Sequence, residues 1–207
     1  MLGTMTAEGD WTVLPGSGLG KLEFGMSPAQ VDALSDTYGA VTGRRNDGIP
    51  DEVLRDTLEK FGAEMSEEEK RALIAAYAES GPPADSVTET RGNPGLVLSY
   101  QAGLLVEIMP AEGQRPLFLD GEDMLSLSAL EALTLLERVN SGPGRYAGTE
   151  AAFDHLAISV DGFCVIDRVD RVRTLDGADE RFQRRTMTLR SQPYLPADMD
   201  RFKSIGI

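Results

Sequence analysis

Three Ser-x-x-Glu/Gln tetrads, at Ser27–Gln30, Ser66–Glu69 and Ser128–Glu131, set where helices in this chain must begin. In such a tetrad the serine oxygen accepts from the backbone N–H three residues on, and the Glu or Gln side chain reaches back to the serine N–H. Apolar residues at helical spacing follow each one, and then a stop. After Ser27, Pro28 suits the first turn and Met26 and Val31 take staple positions. Val31, Leu34 and Tyr38 recur on one face until Gly39. After Ser66, Leu73, Ile74 and Tyr77 point inward before Gly81, and the preceding "DEVLRDTLEKFG" places Leu54, Leu58 and Phe61 on one face. These two runs predict a helical hairpin over 51–81, inserted between turn and linker chemistry at "GRRNDGIP" and "GPPADS". After Ser128, Leu130, Leu133, Leu136 and Val139 make an apolar stripe closed by "SGPG".

Strand signals lie between the helices. "GLVLSYQAGLLVEIMP" reads as a hairpin around Gln101-Ala102-Gly103, and "LAISVDGFCVID" as a second one turning at Asp161-Gly162. "GKLEF", Leu117–Leu119 and "VRTL" read as short strands. "RFQRRTMTLR" alternates like a strand, with Arg184, Thr186, Thr188 and Arg190 on one face and Arg185, Met187 and Leu189 on the other. Its charge suggests a solvated, guarded edge. "SQPYLPADMDRF" reads as a loop or tail. The order short strand, capped helix, hairpin occurs twice. The prediction is an α+β fold of two related modules, 1–113 with the insertion at 51–81 and 114–207, sharing one sheet or a common interface.

The chain has 207 residues, 41% of them hydrophobic, so it can bury a core without a disulfide or metal staple. Its single cysteine, Cys164, lies in the apolar run "FCVI" and reads as a core residue. The first residues, "MLGTMTAEGDW", lack the pattern of a secretion signal, and no apolar run approaches the roughly 18 residues of a membrane span. A cytoplasmic protein is expected. The formal charge of −14 disfavours nucleic acid and anionic lipid and favours encounter with a basic protein. Charge is uneven: 51–81 holds nine acids against four bases, whereas 167–190 holds five against seven.

Catalytic patterns fail one by one. Counting from Gly16, the sixth position of a dinucleotide fingerprint is Lys21 instead of glycine, and the glycines precede the strand. A P-loop would need glycine at Pro15 and Ser or Thr at Leu22. Gly16, Gly18 and Gly20 therefore read as a flexible turn leading into an edge strand. One histidine, His155, and one cysteine exclude the usual zinc sets, and His155 reads as a strand-entry residue. No catalytic, cofactor-binding or metal-ligating residue is assigned. The acidic turns Asp120, Glu122, Asp123 and Asp176, Asp179, Glu180 are the candidate partner contacts. A carboxylate-based enzyme and an adaptor using the helical insertion are the alternatives.

"LGKLEFGMSPAQVDAL" resembles the G-x-[IL]-x-[FL]-G-M-[ST]-x-x-x-V element of several small α+β families. Similar elements open helix-then-antiparallel-sheet modules in bacterial β-lactamase inhibitory proteins and in the BamE/SmpA outer-membrane assembly lipoproteins. The likeness covers Gly20 to Leu34 well and the remainder only by order of elements. It implies a non-catalytic module that works by surface contact. With the acidic composition, that suggests an inhibitor or immunity-type protein for a basic partner, such as a toxin.

Overall fold

All three capping boxes form. Ser27 N donates to Gln30 Oε1 at 2.8 Å, Ser66 N to Glu69 Oε2 at 2.7 Å and Ser128 N to Glu131 Oε2 at 3.0 Å, each with the reciprocal bond to the serine oxygen. Ser128→Ala should cost about 1 kcal/mol in urea denaturation, because it frees one helix-end donor. The computed structural model describes residues 9–47, 51–80, 85–92, 95–110, 116–196 and 198–207, with the side chains of 51–54 and 75–80 excepted.

The chain opens with a small sheet of β1 (Val13–Leu14), β2 (Gly18–Leu19) and β3 (Leu22–Glu23). Helices α1 (Pro28–Asp32) and α2 (Ser35–Tyr38) follow. One helix was expected here, but the chain breaks at Ala33–Leu34, and the break sends both Val31 and Tyr38 into the core. Of the stretch 43–50, expected as turn and linker, residues 48–50 lie outside the described residues and 43–46 belong to the exposed strand β4 (Val41–Asn46). Helices α3 (Asp51–Phe61) and α4 (Glu67–Ser80) then connect it to β5 (Val87–Arg91), its direct antiparallel neighbour. The helical hairpin is present, yet none of its described side chains joins the core: Phe61 is 58% and Ile74 45% exposed. The inward assignments of Leu54 and Tyr77, and the linker 81–84, lie outside the described residues.

Strands β6 (Leu96–Gln101) and β7 (Leu104–Pro110) make the expected hairpin, with Ala102 and Gly103 both at positive φ. β8 (Phe118–Leu119) and β9 (Glu122–Asp123) form a tight hairpin around Asp120-Gly121, after which comes α5 (Ala129–Asn140). Leu130, expected inside, is 52% exposed, because α5 buries Ala129, Ala132, Leu133 and Leu136 instead. β10 (Arg145–Ala147), β11 (Glu150–Phe153) and β12 (Ile158–Asp161) then run antiparallel.

The expected hairpin at Asp161-Gly162 does not exist. β13 (Cys164–Ile166) pairs with β14 (Val172–Thr174) in a separate small sheet. The slot beside β12 is taken by β15 (Thr186–Arg190). The "RFQRRTMTLR" strand is also shorter than expected: Glu180–Gln183 form a helical turn, α6, capped by Asp179, so Arg184 and Arg185 precede the strand. Nor is it an edge, since β15 lies between β12 and β7. The terminal segment is no free tail, because β16 (Lys203–Ser204) pairs with β10.

Among the described residues the result is a mixed α+β fold around one nine-stranded antiparallel sheet, ordered β16-β10-β11-β12-β15-β7-β6-β5-β4. One face carries Leu96, Leu98, Tyr100, Ile108, Leu189, Met187, Val160 and Phe153, all in the single core with α5, Val31 and Tyr38. Alternation puts polar residues on the opposite face.

Candidate functional site

The six acidic residues expected to meet a partner are divided by their surroundings. Asp123 Oδ1 accepts from Leu117 N and Leu125 N, Asp176 Oδ1 from Ala178 N, and Asp179 caps α6 while pairing with Arg181 at 2.6 Å. Those three hold turns in shape. Arg181 draws the Asp179 carboxyl down to about 2. Asp120 pairs with Arg138 at 2.9 Å, and Glu122 and Glu180 are exposed. Among the described residues Arg185 links the two turns, donating to Leu125 O and Phe182 O and lying against the Phe182 ring. They make no common site.

The structure concentrates polar groups elsewhere, on the non-core face of the sheet. Cross-strand register aligns Thr88 with Ser99 and Ser99 with Glu107, Glu107 with Arg190, Thr188 with Ser159, and Thr186 with Asp161 and thence Glu150. Thr90, Val97 and Met109 form a parallel row toward β4, all half-exposed. Arg190 bridges the halves of the sheet, pairing with Glu107 at 2.8 Å and donating to Ser159 Oγ.

The segment after β15 crosses this face as a strap. Arg145 Nη2 donates to Tyr194 O at 2.6 Å and to Asp154 Oδ1 at 2.7 Å, while Arg190 stacks on the Tyr194 ring and Arg145 and Arg201 on that of Phe202. Arg201 pairs with Glu150. Beneath the strap is a cavity of about 170 Å³ lined by Glu150, Ser159, Val160, Asp161, Thr186, Thr188, Arg190 and Tyr194.

A third polar group is buried under the first helices. Arg91 is fully buried and binds Glu89 Oε2 and Asp32 Oδ1 through Nη2, each at 2.7 Å. Glu89 is itself only 1% exposed. Beside them the Arg91 Nη1 and Tyr100 Oη atoms are buried without a hydrogen-bond partner among the described residues. Burial pushes the Tyr100 hydroxyl up to about 12. Sequence reading overlooked this group, although "TETR" places two opposite charges at i, i+2, on one face of a strand.

His155 and Cys164 have structural surroundings. His155 Nδ1 donates to Asn140 O at 2.7 Å and its backbone N to Asn140 Oδ1 at 3.0 Å, tying its turn to the end of α5. Cys164 is fully buried, and desolvation raises its thiol to about 12. It should therefore resist iodoacetamide at pH 8 in the native protein and take up one equivalent after denaturation. Rapid native alkylation would contradict the burial. Among the described residues no three His, Cys, Asp or Glu side chains gather as a metal set would, and no described helix is long and apolar enough to cross a membrane. Searches of protein-family models, curated proteins and solved structures return no match to this chain.

Proposed function

We propose that this is a non-catalytic protein-binding module, of the inhibitor or immunity kind, that captures a basic partner in the cytoplasm. The observation that carries the reading is the broad non-core sheet face between β4 and β15, where Thr88, Thr90, Val97, Ser99, Glu107 and Met109 lie half-exposed in register. A mixed polar and apolar surface of this kind suits protein contact. The net charge of −14 would steer a basic protein toward it. The element order supports two related modules. β2–β3 and β8–β9 are each a tight hairpin followed by a capped helix and by antiparallel strands of the same sheet.

The test is capture from the native host with the tagged protein and with a Val97→Arg, Met109→Arg variant. Wild type should retain a basic protein at low salt, and the variant should lose it while keeping the wild-type melting temperature. Equal retention by both would overturn the assignment of the face.

One observation favours an adaptor role for the helical insertion, namely the exposure of Phe61 and Ile74. Because Asn46 and Val87 are direct cross-strand neighbours, 51–81 can be replaced by a short Gly-Ser turn without breaking the sheet. The shortened protein should fold with stability near wild type. If it also loses the partner while the face variant keeps it, the insertion is the contact.

A further inference from the structure

Glu150 and Asp161 are direct cross-strand partners on the non-core face, two carboxylates held side by side by backbone register. Like charges so placed destabilise a sheet unless cations intervene. The fold supplies one: Arg201 of the strap pairs with Glu150. Asp161 receives only the Thr149 hydroxyl, which donates to Oδ1 at 2.6 Å, and no basic side chain pairs with it among the described residues. Arg190, the cation on the same wall, is already taken by Glu107 at 2.8 Å and by Ser159. On the cavity wall itself Glu150 and Asp161 stand against Arg190, and Arg201 outside the lining is shared between Glu150 and Asp198, so the lining is one positive charge short.

The cavity is built to hold that charge. Its volume of about 170 Å³ exceeds what a single water requires and accommodates the end of an alkylammonium chain. Thr188 lines it at 7% exposure, and neither its hydroxyl nor that of Thr186 bonds to another described residue. An ammonium has three N–H donors and no acceptor, which suits a free carboxylate flanked by hydroxyl oxygens.

We infer that the cavity beneath the C-terminal strap receives a primary ammonium group, bound by Asp161 with Thr186 and Thr188 and compensating the Glu150–Asp161 pair. If the protein-binding reading above holds, the natural source is a lysine side chain of the basic partner; a free aliphatic amine carries the same chemistry.

The probe is Nα-acetyl-lysine methylamide, with its norleucine analogue as the uncharged control, titrated calorimetrically into the whole protein. Saturable binding of the lysine compound alone is expected, at least about tenfold weaker in Asp161→Asn and severalfold weaker in Thr188→Val, and unchanged in the variant of an exposed acid elsewhere, Asp36→Asn. Asp161→Asn should also raise the melting temperature of the free protein, since it removes the like-charge pair, a result that a merely structural Asp161 would not give. Equal affinity for both compounds, or no effect of Asp161→Asn, overturns the site. Partner capture is scored separately. Loss of capture in Asp161→Asn assigns the ammonium to the partner's lysine, and retained capture with lost probe binding assigns the cavity to a free amine. Absence of any captured partner with probe binding intact defeats the protein-binding reading and leaves the cavity standing.

Discussion

Arg91→Met should destabilise the protein by about 3–5 kcal/mol, a large part of the stability of an ordinary domain. The cost comes from what is left behind. Glu89 is 1% exposed, and without Arg91 its nearest cation is Arg44 at 3.7 Å, a side chain itself 58% exposed. Asp32, also 58% exposed at its side chain, is simply rehydrated. The double variant Glu89→Leu, Arg91→Met removes both buried charges and should recover most of the loss or exceed wild type, because desolvation offsets much of what a buried pair gains. The unpartnered Arg91 Nη1 and Tyr100 Oη point the same way: the network is incompletely satisfied. Tyr100→Phe, which deletes one of those atoms, should be neutral or slightly stabilising. Urea denaturation of the four proteins decides the matter, and a double variant as unstable as the single one would refute the account.

What the sequence made legible followed from local rules. Capping boxes name their own donors and acceptors, so Ser27, Ser66 and Ser128 located three helix starts without tertiary information. The failures share a different cause. Of the four Asp-Gly dipeptides in the sequence, the one at 120–121 closes the β8–β9 hairpin and the one at 161–162 closes none. The dipeptide permits a tight turn at both. At 161–162, however, the neighbouring slot belongs to β15, some 25 residues later, and the fully buried Phe163 and Cys164 lead the chain out of the sheet. Nothing within a few residues of Gly162 reports that occupancy.

The site was harder to read for the same reason. Its residues are supplied by β11, β12, β15 and the strap, and only cross-strand register makes neighbours of Glu150, Asp161 and Thr186. The alternation of Thr186, Thr188 and Arg190 was visible, but an edge and a central strand alternate alike. The acid clusters in sequence also do not report their own surroundings: Asp123, Asp176 and Asp179 use oxygens on nearby backbone N–H groups. Side chains placed in this way hold turns in shape.

Gly20→Ala should cost roughly 3 kcal/mol or more, whereas Gly16→Ala should cost only about 1–2 kcal/mol, the price of a Cβ at positive φ. Both residues have φ near +60°, at +56° and +68°. They differ in space: a Cβ on Gly16 would meet nothing within 4 Å, while one on Gly20 would lie 2.2 Å from Asp10 O and 2.6 Å from Tyr38 Oη. That hydroxyl is a junction. It lies 2.9 Å from Asp10 O and 3.0 Å from Leu19 O, and it accepts from Lys21 N at 2.8 Å. A methyl group at Gly20 must dislodge it and, with it, the Trp11–Tyr38 ring contact. Gly18 is tighter still, its Cβ position 1.8 Å from Leu22 O, so Gly18→Ala belongs with Gly20→Ala. The run expected as a flexible turn is thus a packed corner in which two glycines are demanded by neighbouring atoms and one by φ alone. A phosphate-cradling loop would show the opposite ranking, with ligand affinity lost and stability spared. Equal melting temperatures for the Gly16 and Gly20 variants would defeat the packing argument.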